Sequence, residues 1–216
     1  PNEMNVPNRL KPPFFVEGGS MEHPLGTDHL GRDLLSRLVY GMHNSAIIGI
    51  SAVAISVLIG SVVGLCSGFF GRAVDTVLMR ITDIQLAFPF IILAVAVLSV
   101  TRPTLLNIVL VLALVNWPTY ARVVRSLVLS EKEKDYARAA QILGASGRRT
   151  IAKYIAPNII PNVIAISTLD IATMIVLEAI LGFLGLGIQP PGISWGNIMA
   201  TQCLLQIKPK TMEIHV

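Results

Sequence analysis

Charge is scarce in this chain. Asp, Glu, Lys and Arg make up 14% of its 216 residues, whereas hydrophobic side chains make up 53%. Such a balance is too apolar for an ordinary water-soluble domain and places the chain in the membrane class. Cysteine is nearly absent: Cys66 and Cys203 have no metal-ligand spacing, and Cys66 lies inside an apolar run, so no disulfide framework is expected. Aromatic residues are few, at 6%, and are not interleaved with the basic ones, so the net charge of +4 does not describe a nucleic-acid groove. No G-x-x-x-x-G-K-[ST] loop is present, so the backbone cradle and lysine that hold nucleotide phosphates are missing. H-E-x-x-H, C-x-x-C and G-x-S-x-G are absent too, and no catalytic, cofactor-binding or metal site is expected. His23, Asp28, His29 and His43 lack ligand spacing and read as ordinary loop residues. The chain starts at Pro1 with no signal-peptide pattern, which is compatible with a fragment.

What is present is long apolar sequence. A bilayer core about 30 Å thick needs roughly 20 apolar residues per helical span. Four stretches qualify or nearly so, at about 45–70, 84–101, 105–121 and 158–188, predicting an all-α polytopic bundle. Domain limits follow: an extracytoplasmic segment 1–44, a membrane domain 45–200 and an atypical tail 201–216 with too little apolar sequence to span. Four spans put residues 71–83 and 122–157 on one side, and that side holds ten of the seventeen basic residues against five acids. Short loops rich in Lys and Arg stay in the cytoplasm, so this side is predicted to be cytoplasmic.

Within the spans, Ala52, Ser56, Gly60, Gly64 and Gly68 recur every fourth residue. They form a strip of small side chains suited to close helix packing, either inside this subunit or against a partner. Phe88-Pro89-Phe90 and Asn116-Trp117-Pro118 predict kinks or breaks, structural or lining a pathway. Asp170 and Glu178 are eight residues apart, roughly 80° around a helix. Acids at membrane depth are costly and face protein or water. Glu178, and after it Asp170, is expected to face the bundle interior or a translocation path, with pairing inside the bundle as the alternative. A secondary transporter or channel would use the same two acids for proton or cation coupling.

The most informative stretch is DYARAAQILGASGRRTIAKYIAP, residues 135–157. Ser130-x-x-Glu133 has the capping-box pattern, predicting a helix start there. Tyr136, Ala139, Ala140 and Leu143 then follow helical spacing on one narrow apolar face, and Gly144 suits the helix end. A second short helix is expected from about Ser146 to Ile155, stopping before Pro157. An anchor lying on lipid would want bulky side chains on that face, whereas shallow alanines suit a protein groove.

The segment resembles the cytoplasmic EAA loop of ABC-importer permeases, whose pattern is E-A-A, three residues, Gly, nine residues, I-x-L-P. Ala139, Ala140, Gly144 and Pro157 fall in register, while Arg138, Tyr154 and Ala156 depart from it. HPLGTDHLGRDLLSRLVYG (23–41), DTVLMRITDIQLAFPF (75–90) and LEAILGFLGLGIQPPGISWGN (177–197) look like the C-type permease subunit of dipeptide, oligopeptide or nickel importers. That resemblance implies a type I importer permease core lacking its first and last spans. It further implies half of a translocation pathway in a bacterial inner membrane, with no hydrolytic activity of its own. The implied partners are a second permease subunit, two cytoplasmic ATPase subunits, an extracytoplasmic substrate-binding protein and lipid, without nucleic acid. Tyr136, Arg138, Ala139, Ala140, Gly144, Ala145 and Pro157 would form the ATPase contact. The charge reversal at Arg138 implies a correspondingly different partner surface. Peptide is the first cargo implied and nickel the second.

Overall fold

The computed structural model describes residues 5–189 and 192–207. Among them secondary structure is helical, apart from an isolated Thr27–Asp33 bridge. Eight α-helices follow in order: α1 Leu34–Phe70, α2 Arg72–Leu86, α3 Phe90–Val100, α4 Leu105–Lys132, α5 Asp135–Ile142, α6 Gly147–Thr150, α7 Ala156–Phe183 and α8 Trp195–Ile207. The chain divides into two compact units. One contains residues up to Ile48, Pro103–Ile108 and those from Ile175 onward; the other contains Gly49–Arg102 and Val109–Met174.

Among the described residues three helical stretches are long and apolar enough to cross a membrane: Leu34–Phe70, Leu105–Lys132 and Gly147–Phe183, with mean hydropathies of 2.5, 1.4 and 2.0 over an 18-residue window. The bent pair α2–α3 makes a fourth if it counts as one span. The protein is multi-pass.

The limits differ from those read off hydropathy, each for a local reason. α1 begins at Leu34 rather than near 45 because Asp33 caps it, its Oδ2 accepting from the Ser36 amide at 2.8 Å. The 84–101 run is not one helix, since α2 and α3 meet at 83° around Ala87-Phe88-Pro89. Pro89 has no N–H to continue the ladder, and the residue before a proline avoids the helical region. By contrast, α4 passes Pro118 unbroken and runs on to Lys132, so the expected break there does not occur. Pro118 cannot donate to the Leu114 carbonyl four residues back, and the side-chain Nε2 of Gln85 donates to that carbonyl instead. α7 stops at Phe183 rather than 188. Gly185 takes φ +80° and the Leu186 amide reaches back to the Leu181 carbonyl at 2.9 Å, a glycine-terminated helix end.

The second short helix does not stop before Pro157. α6 passes through a wide π turn, Ile151–Ile155, directly into α7. The wider turn carries the chain past the proline, and the Asn158 side-chain amide satisfies the Tyr154 carbonyl at 2.6 Å. α8 has 13 residues, too few to cross, and residues 208–216 of the predicted tail lie outside those described.

Candidate functional site

The elbow between α4 and α7 is built differently from its sequence pattern. α4 continues through Ser130 to Lys132, so no helix starts at Ser130 and the capping box does not form; Lys134 is the N-cap of α5. Glu131 instead gathers the elbow. Its carboxylate accepts from Lys134 Nζ at 2.6 Å and from the Tyr136 hydroxyl, which in turn accepts from Asn158 Nδ2 at 3.2 Å. Burial and the neighbouring Glu131 carboxylate push the Tyr136 hydroxyl up to about 12. Gly144 closes α5 as expected, at φ +83°, with the Ala145 amide on the Ala140 carbonyl and the Gly144 amide on the Gln141 carbonyl, both 3.0 Å.

The face of α5 expected to be open to a partner is only partly so. Ala137 and Ala140 are buried, so Ala140 does not lie on an exposed face, whereas Arg138 and Ala139 do. Tyr136 is exposed, and Ile142 and Leu143 stand 85% and 86% exposed at the tip, next to an open Gly144. Burying two alanines brings the backbone of α5 close to the protein and leaves its bulkiest apolar side chains outside. Ala145 is half-buried beyond the turn, and Pro157 lies in the first turn of α7.

The elbow is fastened to the end of α1. Lys132 Nζ donates to the Phe69 carbonyl at 2.8 Å and lies 5.4 Å over the Phe69 ring, and a Cβ on Gly147 would come within 2.9 Å of that ring. Nearby, Arg125 grips Asp75 with two nitrogens, and Ser67 adds a hydroxyl to the same carboxylate.

The small-residue strip packs inside the chain. A Cβ on Gly60 would meet Tyr120 Cβ at 2.4 Å and the Trp117 carbonyl at 2.6 Å. On Gly64 it would meet Val124 Cβ at 2.7 Å, and on Gly68 Val128 Cβ at 2.8 Å. Ser56 donates to the Ala113 carbonyl at 3.3 Å, and Ala52 is fully buried. The strip is therefore the groove of α1 into which α4 fits.

The two acids of α7 have different surroundings. Glu178 is fully buried; the Ser45 hydroxyl donates to its Oε2 at 2.8 Å, and Ser194, also buried, lies beside it. Asn44 Nδ2 on the Ile193 carbonyl (2.7 Å) and Trp195 Nε1 on the Leu38 carbonyl (3.0 Å) tie the same strands of chain together. Glu178 thus lies in the bundle interior, bonded through Oε2, while its Oε1 is buried without a hydrogen-bond partner. Asp170 is only half-buried, and its Oδ2 accepts from Asn116 Nδ2 and from Tyr120 Oη, the latter at 2.9 Å. Sequence reading missed Asn116 and Tyr120 as its partners. One polar residue and one tyrosine a helical turn apart on an apolar helix were the available signal.

At the N-terminal side, Asp28 is a hub rather than a ligand. Its Oδ1 accepts from the Leu30 and Arg32 amides at 2.8 and 2.9 Å, and its Oδ2 accepts from Arg32 Nε at 2.8 Å, with Arg37 Nε 3.7 Å away. Burial pushes this carboxyl up, but the two amides and the Arg32 guanidinium outweigh it and hold it below the usual carboxylate range. His23 pairs with the capping Asp33 at 3.2 Å, and no metal-holding group of His, Cys, Asp or Glu occurs among the described residues.

Comparison with known proteins gives a consistent result. The family model described as "Binding-protein-dependent transport system inner membrane component" matches residues 56–207. The chain is 42% identical over 192 residues to the di/tripeptide transport system permease protein DppC of Pseudomonas aeruginosa, covering 89% of this chain and 63% of that protein. It is 38% identical over 200 residues to the dipeptide transport system permease protein DppC of Haemophilus influenzae, covering 93% and 68%. To the oligopeptide transport system permease protein OppC of Bacillus subtilis it is 38% identical over 194 residues, covering 90% and 62%. The chain spans about two thirds of the length of these relatives. Among solved structures it is similar in fold to the inward-facing MetNI methionine ABC transporter, with TM-score 0.63 at 21% identity, covering 80% of this chain and 88% of that one.

Proposed function

The chain belongs to the family of binding-protein-dependent transport system inner membrane components, and from that premise we propose that it forms half of the translocation pathway of an ATP-driven peptide importer in a bacterial inner membrane. Peptide is favoured as cargo over nickel because the matched relatives are named for dipeptide and oligopeptide transport. ATP is hydrolysed by a pair of separate cytoplasmic subunits, a second permease completes the pathway, and an extracytoplasmic binding protein delivers the solute.

The observation that carries this reading is the elbow. Ile142 and Leu143 project from a short helix whose other side is packed on Ala137 and Ala140, and Lys132 and Gly147 fasten the elbow to α1. An apolar tip on a rigid mount transmits force when a second protein grips it, and a secondary transporter or channel has no use for one. Tyr136, Arg138, Ala139, Gly144 and Ala145 border the tip, with buried Ala140 as its internal support, and exposed Pro157 follows in the first turn of α7. The basic side of the membrane domain, including this elbow, faces the cytoplasm. The pathway is lined at Asp170, while Glu178 serves the bundle.

The test is made in the complete importer. Ile142→Asp and Gly144→Val are each expected to abolish co-purification of the ATPase subunits, or to leave ATP turnover intact while dipeptide uptake falls at least tenfold. Wild-type uptake and co-purification in both variants would overturn the reading.

A further inference from the structure

Resting on the peptide reading above, we propose that Asp170 binds the N-terminal ammonium group of a peptide in transit. Both hydrogen bonds that the protein gives this carboxylate, from Asn116 and Tyr120, go to Oδ2. Oδ1 takes neither, the residue is only half-buried, and no Lys, Arg or His among the described residues forms an ion pair with it. Two donors on one oxygen fix the plane of the carboxylate and leave the other oxygen presented outward with its charge uncompensated. That arrangement is expensive in an apolar setting unless the open oxygen meets water or a cation.

The surrounding helix face points the same way. Only 22% of the most apolar window of Gly147–Phe183 is buried, and its exposed residues include Asn162 and Thr173 beside the half-buried Asp170. Lipid does not satisfy an amide, a hydroxyl and a carboxylate, so this side of α7 faces protein or an aqueous path. Thr173 lies three residues beyond Asp170, the spacing of helix neighbours, and adds an exposed hydroxyl to the same helix face.

The chemistry favours an ammonium over a metal. A divalent cation asks for several oxygen or nitrogen ligands at once. Asn116 and Tyr120 turn donors, not lone pairs, toward Asp170, and no second acid or imidazole joins it among the described residues. One carboxylate oxygen and a hydroxyl suit an R–NH3+ group, which needs one opposite charge and a few acceptors. Glu178, by contrast, is fully buried, with the Ser45 hydroxyl on its Oε2.

The complete importer in proteoliposomes, supplied with its binding protein, decides the matter with Ala-Ala and N-acetyl-Ala-Ala as competing substrates. Asp170→Asn keeps an acceptor for Tyr120 but removes the charge, and is expected to lower Ala-Ala uptake at least tenfold without lowering that of the acetylated peptide, so the preference between them shrinks equally. Asp170→Glu restores part of it. Tyr120→Phe, which keeps the charge but loses one of the two bonds that orient it, lowers the preference less than Asp170→Asn does. An equal loss for both substrates in Asp170→Asn, or an unchanged preference, overturns the proposal and makes Asp170 structural. If the wild type imports neither peptide, the peptide reading itself has failed and the ammonium site falls with it.

Discussion

Gln85 donates its side-chain amide to the carbonyl of Leu114, the acceptor that Pro118 leaves without its helical partner, and the Trp117 indole donates back to Gln85 Oε1 at 3.0 Å. A glutamine at the end of α2 thus repairs the ladder of α4. The proline survives inside a continuous helix because another element brings the missing donor.

This relationship predicts non-additive mutations. Gln85→Leu leaves the Leu114 carbonyl without a donor in an apolar setting and is expected to cost about 1 to 3 kcal/mol. In a Pro118→Ala background the helix supplies its own amide, and the cost of Gln85→Leu should fall below about 1 kcal/mol. Thermal unfolding of the four proteins of this cycle in detergent measures the coupling. Equal costs in both backgrounds would show that Gln85 acts elsewhere.

The groove of α1 makes a sharper prediction. At 2.4 and 2.7 Å from side-chain carbons of α4, a Cβ on Gly60 or Gly64 forces the two helices apart. Gly60→Leu and Gly64→Leu are expected to lose well over the ~1 to 3 kcal/mol typical of overpacking, and to reach the membrane in poor yield. Leu58→Ala, an exposed position on the same helix, should be nearly silent. Fluorescence-detected size exclusion separates these outcomes.

Much of this was legible in the sequence. Small residues every fourth position encode close approach by geometry alone, and they lie where α1 meets α4. Pro89 ends a helix whose Gln85 carbonyl is already taken by the Phe88 amide at 3.2 Å, whereas Pro118 sits in a continuous helix whose Leu114 carbonyl is served by Gln85, and no window of hydropathy contains both halves of that bond. The capping box at Ser130 failed for a similar reason. Continuing α4 frees Glu131 for Lys134 and Tyr136, a tertiary gain that outweighs a local cap worth about 1 kcal/mol. Of the two alanines expected on the exposed docking face of α5, Ala139 lies there while Ala140 turns inward with Ala137, because eight residues holding three alanines leave the helical phase undetermined until the packing surface is present.

Asp28 gives a pH dependence with a definite sign. Its carboxyl sits below the ordinary aspartate value of 3.8 in the folded protein, so the unfolded chain takes up a proton first as pH falls. The stability it contributes is full above about pH 5 and is lost progressively as pH drops through 3.8 toward the lower folded value. Asp28→Asn should remove that part of the acid slope while lowering stability at pH 7. Hydrogen exchange of the Leu30 and Arg32 amides, followed against pH, reports it locally. An unchanged slope in Asp28→Asn would assign the acid sensitivity to other carboxylates.

Glu178 provides the counterpart to Asp170. It is fully buried and receives the Ser45 hydroxyl, which itself lies 3.5 Å from the Trp195 amide, so three stretches of chain meet at one side chain. Glu178→Gln keeps an acceptor for Ser45, and is expected to leave assembly and dipeptide uptake within about twofold of wild type, since hydrogen bonding rather than charge is what the site uses. Glu178→Leu strands the two serine hydroxyls and should cost about 1 to 3 kcal/mol. Glu178→Lys puts an ammonium into the same buried space and should prevent folding. Uptake abolished in a normally assembled Glu178→Gln importer would mean that the charge itself takes part in transport, and would move the pathway from Asp170 toward this end of α7.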